Sequence, residues 1–344
     1  MPPGIVGLTT EPTISKSIYF ALTITLKDSK SQSTPDNTPT FLADLSKRDA
    51  KWDSHREKTT QVERIYQTSE AHQDYAERMK LCSTFLDFRL VPSEEELKLK
   101  LSHAMFCHVR FCPVCQWRRS VQWHAKALTI IPKILEVYPT YRWLFLTLTL
   151  KHVPVSDLRE QVKYLNKSFE RFSQLKKFPG EGWIKCVEVT YSKTTRGYAH
   201  PHLHILMIVK PSYFGVSYLK IEKWRTMWAK SARINYHVQF DVDAIEESGK
   251  RSEDIANLTH ILCETVKYQV KESDLTRDPT WTIAITEQLK GTRAISTAGI
   301  LKAYMRELEN EPEDLIGKGE EEEETLGHVF AIWRRDCQRY VIKN

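Results

Sequence analysis

The segment from His200 to Val209 (His-Pro-His-Leu-His-Ile-Leu-Met-Ile-Val) restricts the folds open to this chain more than any other stretch. Alternation along an extended strand sends His200, His202 and His204 to one face and Leu203, Ile205, Met207 and Val209 to the other. The apolar face has to lie in a core, which holds the strand rigid while the imidazoles project from the sheet. Neutral imidazole binds divalent metals, and a strand fixes its direction. The competing reading is three histidines on a solvated sheet surface.

Period-two patterning also marks residues 142–150, with Leu144, Leu146, Leu148 and Leu150 opposite Phe145, Thr147 and Thr149. It marks residues 183–191, and again Tyr236, Val238, Phe240 and Val242. Helical spacing appears in Leu158, Val162, Leu165, Phe169 and Phe172, with Ser156 available as a cap. Trp224, Met227 and Trp228 mark a second helix, and Ile255, Leu258, Leu262 and Val266 a third. A turn containing Gly197 joins residues 183–191 and 200–209 as a hairpin. The pattern predicts an α+β fold: a central antiparallel sheet with helices on one face, plus a small zinc-binding cysteine segment.

Residues 1–75 are rich in Ser, Thr, Lys, Asp and Pro, and are expected to form a mostly disordered arm. Residues 76–130 form a cysteine-rich, basic segment, and 131–305 the core. Residues 306–344 read as an acidic tail, with five glutamates at 320–324 and a terminal helix through Val329, Trp333 and Val341. A net charge of +6 tilts the chain mildly toward a polyanion, a property shared by many proteins that never meet DNA. The apolar run at residues 18–26 is too short to span a bilayer and lacks signal-peptide flanks, so a cytoplasmic protein without membrane contact is expected.

A hard catalytic cation also needs a carboxylate. Glu188 shares its strand face with Cys186 and Thr190, and an in-phase hairpin sets it opposite either His202 or His204. Two imidazoles and a carboxylate with open positions can polarise a phosphodiester. On the helix expected near 252–271, His260, Glu264 and Tyr268 are spaced i, i+4, i+8, and Lys271 follows three residues later. A tyrosine hydroxyl with its ordinary pKa of about 10 is a weak nucleophile. A nearby metal or the Lys271 ammonium would help it attack, and Glu264 can activate a water. The competing reading is an ordinary surface helix.

Cys107-x4-Cys112-Pro113-Val114-Cys115, with Cys82 upstream, has the spacing of a closed tetrahedral zinc site; His103 and His108 are alternatives to Cys82. Cys186, Cys263 and Cys337 lack partners at ligand spacing and read as core. Trp117, Arg118, Arg119 and Lys126, with Arg110 just upstream, read as a DNA-contacting surface of cations and a base-stacking ring.

In order along the chain, Phe145-Leu-Thr-Leu-Thr149, His200-Pro-His-Leu-His204 and Glu264-x3-Tyr268-x2-Lys271 resemble motifs of plasmid rolling-circle replication initiators of the HUH endonuclease superfamily. Cys82 and the segment Cys107-x2-Arg110-x-Cys112-Pro113-x-Cys115-x2-Arg118-Arg119 resemble the cysteine-containing, single-tyrosine branch. The resemblance covers roughly residues 82–302 and implies a ferredoxin-like or RRM-like sheet. It implies that His202 and His204 hold catalytic Mg²⁺ or Mn²⁺, with Glu188 as the weaker third ligand, and that Zn²⁺ is structural. It further implies that Tyr268 nicks one strand of the plasmid origin, joining its 5′ phosphate and freeing a 3′ hydroxyl, and that Glu264 directs water at termination. Host helicase and DNA polymerase are the implied partners. An HUH-type transposase and a non-catalytic zinc-stabilised DNA-binding regulator are the rival readings. Residues 1–75 and the acidic run have no counterpart in the resemblance, and His200 is an extra histidine beside the usual pair.

Overall fold

The histidine run is an inner strand of an antiparallel sheet in the computed structural model of the chain, which describes residues 39–93, 97–237, 239–266, 269–309, 315–316 and 325–343. The strands of that sheet are β3 (Arg142–Thr149), β5 (Gly180–Tyr191), β6 (Tyr198–Val209), β7 (Phe240–Ala244) and β8 (Ile295–Gly299), with the short β4 (Val153–Pro154) also on β6. Their order is β7-β3-β6-β5-β8. Helix α5 (Leu158–Ser173) connects β3 to β5, and α6 (Ile221–Ser231) connects β6 to β7. Strand, helix, two strands, helix and strand thus follow each other with spatial order fourth-first-third-second, which is the ferredoxin-like split βαβ arrangement.

The central antiparallel sheet and the α+β class are as expected; the helices, however, lie on both faces rather than one. Leu203, Ile205, Met207 and Val209 join the core formed with α5, α6 and α9 (Pro279–Leu289). On the opposite face, Leu206 and Ile208 pack with Trp123, Ile130 and Ile134 of α4 (Pro113–Val137) and Leu258, Leu262 and Val266 of α7 (Arg251–Val266). The histidines share this second face further along β6, where each is half-buried. Leu206 and Ile208, on the histidines' own face, are the signal of a second buried layer that the one-face expectation passed over.

The expected arm of residues 1–75 differs from the structure within its described part. Residues 47–50 form a 3-10 turn, and α1 (Leu42–Leu45), α2 (Lys51–Gln67) and α3 (Gln73–Leu81) are helical. Trp52, Val62 and Tyr66 are buried, but so are Arg56, Thr59, Thr60 and Glu63. With half of its inward positions polar, α2 shows little hydrophobic periodicity. Arg56 and Glu63 are nonetheless partnered, with the Lys80 carbonyl at 2.9 Å and with Arg335 at 2.8 Å.

The terminal helix expected through residues 329–341 is instead a hairpin of β9 (Gly327–Arg334) and β10 (Arg339–Lys343). It completes a second sheet of order β10-β9-β1-β2 with β1 (Phe85–Pro92) and β2 (Leu97–Ala104). Ala331, Trp333 and Tyr340 point into the core, a period-two signal that a few apolar residues can imitate at helical spacing. The glutamate run 320–324 and Val238 lie outside the described residues. Among the described residues, no helix is long and apolar enough to cross a membrane.

Candidate active site

The β5–β6 hairpin fixes the register that the sequence left open. Glu188 is paired across the ladder with His202, Cys186 with His204 and Thr190 with His200. Side-chain contact runs on the diagonal: His204 Nε2 meets Glu188 Oε2 at 2.7 Å. On the other flank Thr147 is paired with His204. Its hydroxyl lies 3.2 Å from His204 Nδ1, and Phe145 stacks on the same imidazole at 5.7 Å. One ring is therefore oriented by a carboxylate, a hydroxyl and an aromatic face. Sequence reasoning assigned Phe145 and Thr147 no role at the site; their alternation opposite the leucines of β3 was the available signal.

His202 is held differently. Its ring stacks on His204 at 6.2 Å, and its Nδ1 is buried without a hydrogen-bond partner. Burial, then the neighbouring His200, pushes its pKa down to about 4, so the ring is neutral at pH 7 and keeps a lone pair for a ligand. Burial also lowers His200, whose Nε2 donates to the Leu150 carbonyl at 2.8 Å. That bond commits the extra histidine to the backbone where β3 ends.

Burial by itself would raise the Glu188 carboxyl, but the bond from His204 and the charge of Lys271 carry it below its ordinary value. Lys271 Nζ lies 3.5 Å from Glu188 Oε1. An ionised carboxylate beside two imidazoles is a donor set suited to a divalent cation, and the partnerless His202 nitrogen fits that use. A cation there would exchange the His204–Glu188 hydrogen bond for ligation.

The late helix ends sooner than its spacing suggested. It is described to Val266, Gln269 and Val270 are bends, and Lys271 is the N-cap of α8 (Glu272–Leu275). Lys271 therefore does not continue the face of His260 and Glu264, both exposed on α7. It reaches Glu188 from the next element. Tyr268 lies outside the described residues. Just after it, the Gln269 carbonyl accepts the N–H of Val189 at 2.7 Å, one residue from Glu188.

The four cysteines converge more tightly than the histidine set. Cys82 caps the end of α3, Cys112 precedes α4 with Pro113 at its first position, and Cys115 lies in the first turn. Sulfur separations are 3.7 Å for Cys82–Cys112 and Cys82–Cys115 and 3.6 Å for Cys107–Cys115. A tetrahedron with metal–sulfur bonds of about 2.3 Å has edges of about 3.8 Å. Among the described residues this is the group of potential ligands whose donor atoms all lie within 4.8 Å of one another, and it could hold a metal such as zinc. Burial, reinforced by Cys112 and Cys115, pushes the Cys107 thiol up, a cost that a central cation reverses. His103 and His108 are exposed and outside the cluster. Cys186 is buried as expected, Cys263 half-buried, and Cys337 exposed in the last turn.

The surface expected to contact DNA turns largely inward. Arg119 is 4% exposed and donates to the carbonyls of Arg110 and His108. Arg118, 8% exposed, donates to those of Leu315 and Ile316 and lies over the Trp52 and Trp117 rings. Trp117 stacks on His55 at 4.6 Å. Arg110 bonds Gln269, Leu289 and Thr292. Lys126 is partly exposed further along α4. The helix that carries Trp117, Arg118 and Arg119 is amphipathic, and its two arginines fell on the covered side.

The chain belongs to the replication-protein family: the family profile described as "Replication protein" matches residues 98–341. Curated relatives agree. The "Protein rep" of Streptococcus pneumoniae is 30% identical over 322 residues, covering 90% of this chain and 98% of that one. The "Protein rep" of Bacillus amyloliquefaciens is 31% identical over 294 residues, covering 78% and 85%, and that of Lactiplantibacillus plantarum 32% over 279, covering 76% and 86%. No solved structure matches. The ordered motifs led to the expectation of a plasmid replication protein, and at that level the family is found.

Proposed function

We propose that this replication protein starts rolling-circle replication of a small plasmid in the cytoplasm, nicking one strand of the origin through Tyr268. The observation that carries the proposal is the convergence on one sheet face of Glu188, bonded to His204, and the partnerless nitrogen of His202, beside a segment that begins one residue after Tyr268. His202, His204 and Glu188 hold Mg²⁺ or Mn²⁺, and the cation supplies positive charge that polarises the scissile phosphodiester. Thr147 and Phe145 keep His204 aimed, and Glu188 accepts from His204 and is ion-paired with Lys271. The Tyr268 oxygen bonds to phosphorus, the bond to the 3′ oxygen breaks, and the phenolic proton leaves to solvent or to that oxygen. The link retains the phosphodiester's energy, so religation needs no nucleotide. Glu264, one turn earlier, directs the water that ends the cycle. The four thiolates hold structural zinc, and host helicase and polymerase extend the 3′ end.

The test is an adduct gel. Single-stranded oligonucleotides tiling the replicon that carries the gene are incubated with protein and Mn²⁺ or Mg²⁺, then denatured. One oligonucleotide should give a covalent product, lost in Tyr268→Phe and in His202→Ala/His204→Ala. DNA retention without any adduct would overturn the nicking proposal in favour of non-catalytic binding.

A further inference from the structure

Resting on the nicking proposal, we infer that Arg110 is the positioning residue of the tyrosine segment, tying the loop between Cys107 and Cys112 to Gln269. Its Nε donates to Gln269 Oε1 at 2.8 Å. Nη1 donates to the Leu289 carbonyl at 2.7 Å, and Nη2 to Thr292 through the carbonyl at 2.8 Å and the hydroxyl at 3.3 Å. A guanidinium is a rigid planar fork, so these bonds tie the end of α9, the turn after it and residue 269 to one rigid group.

The loop behind the fork has little freedom. Cys107 and Cys112 on either side belong to the sulfur cluster, and Arg119 holds the intervening carbonyls of His108 and Arg110 at 3.4 and 3.3 Å. Gln269 is gripped again through its backbone, where its carbonyl takes the N–H of Val189 at 2.7 Å. Three residues later Glu272 accepts from His55 at 2.8 Å and Lys58 at 2.9 Å, both on α2. The same helix places Thr59 Oγ1 3.6 Å from the Cys112 sulfur. Residues 269–272 are thus clamped between the cysteine module and the strand of Glu188. Phosphate capture by Arg110 would have to break bonds to acceptors already aligned with its fork.

Nucleophilic displacement requires the attacking oxygen near contact distance, and an error of about 1 Å can cost roughly 100-fold in rate. Arg110→Ala should slow adduct formation at saturating DNA by about 10–100-fold, with DNA affinity and bound zinc unchanged. Arg110→Lys, which keeps the charge but not the fork, should fall between. The measurement is single-turnover adduct formation with a 3′-labelled single-stranded origin oligonucleotide and Mn²⁺. It is paired with hydrogen exchange of peptides covering residues 262–275 in DNA-free protein, where Arg110→Ala should speed exchange. Gln269→Leu removes the shared bond from the other end and leaves Arg110 on Leu289 and Thr292. It should reproduce both effects and decides the matter if Arg110→Ala does not fold. An unchanged rate, or a rate loss matched by equal loss of DNA affinity, overturns the inference. If the wild-type chain forms no adduct, the nicking proposal fails by itself. Exchange at residues 262–275 then decides whether Arg110 holds the segment.

Discussion

The sulfur cluster and the histidine–glutamate patch are two ways of grouping side chains able to bind a metal, and they differ in what they leave open. The four sulfurs are buried, with three of their pairs 3.6–3.7 Å apart, and closed to substrate. On the sheet, Glu188 and His204 keep 15% and 22% of their side-chain surface exposed, and their attachment to strands leaves one side free. A closed site can only stabilise; an open one can exchange a ligand for a phosphate oxygen. Removing the first should therefore damage the fold, and removing the second should damage the chemistry.

The largest effect that would break this contrast concerns the sulfurs. Cys112→Ser should abolish zinc retention and cost several kcal/mol of stability, as loss of a structural metal does. It should be seen as a lowered, broadened thermal transition with metal analysis; an unchanged melt with no bound zinc would show that the cluster is only packed thiols. Next comes His204→Ala, expected to keep the thermal midpoint within a few degrees while adduct formation falls by about 100-fold or more. A collapse of the melt would place His204 in the fold rather than the chemistry. Glu188→Gln should weaken Mn²⁺ affinity by about 10–100-fold, read as a shifted metal dependence of adduct formation that high Mn²⁺ restores.

A subtler effect sharpens the comparison through pH. His202 in the fold titrates near 4 against an ordinary 6.5, so the unfolded chain takes up its proton first as pH falls. Its contribution to stability is present above about 6.5 and is lost on acidification toward 4. Without added Mg²⁺ or Mn²⁺, thermal midpoints should drop more steeply over that window in the wild type than in His202→Gln. Parallel curves would refute the buried neutral ring. Smallest is Lys271→Met: its exposed pairing with Glu188 should add under about 1 kcal/mol to stability, with any larger change confined to the adduct rate.

Legibility tracked regularity. Four strands of the central sheet, the hairpin among them, and the cysteine quartet were readable because period-two apolar faces and close thiol spacings are local properties; β4 and β8 are too short to show such a period and went unread. The phase of Glu188 was readable too, though its diagonal contact with His204 depends on side-chain rotation. Helix α2 was hidden because Arg56 and Glu63 are buried with partners distant in sequence. The fate of Arg110, Arg118 and Arg119 was hidden for a related reason. A cation beside an aromatic looks the same in sequence whether its acceptors are phosphates outside or carbonyls within. The final hairpin was misread because its strand β9 pairs with β1, more than 200 residues away.

Strand β8 covers β5 only as far as Cys186, so a bare edge would be expected alongside Glu188. Yet the outward amide of Val187 is occupied by the Ala294 carbonyl and that of Val189 by Gln269. Two of the donors that a foreign polypeptide would need for strand addition are therefore already taken, which blunts the usual hazard of an unfinished sheet. Whatever approaches this margin has to be recognised by side chains, which suits a guest made of sugar and phosphate better than another ribbon of peptide.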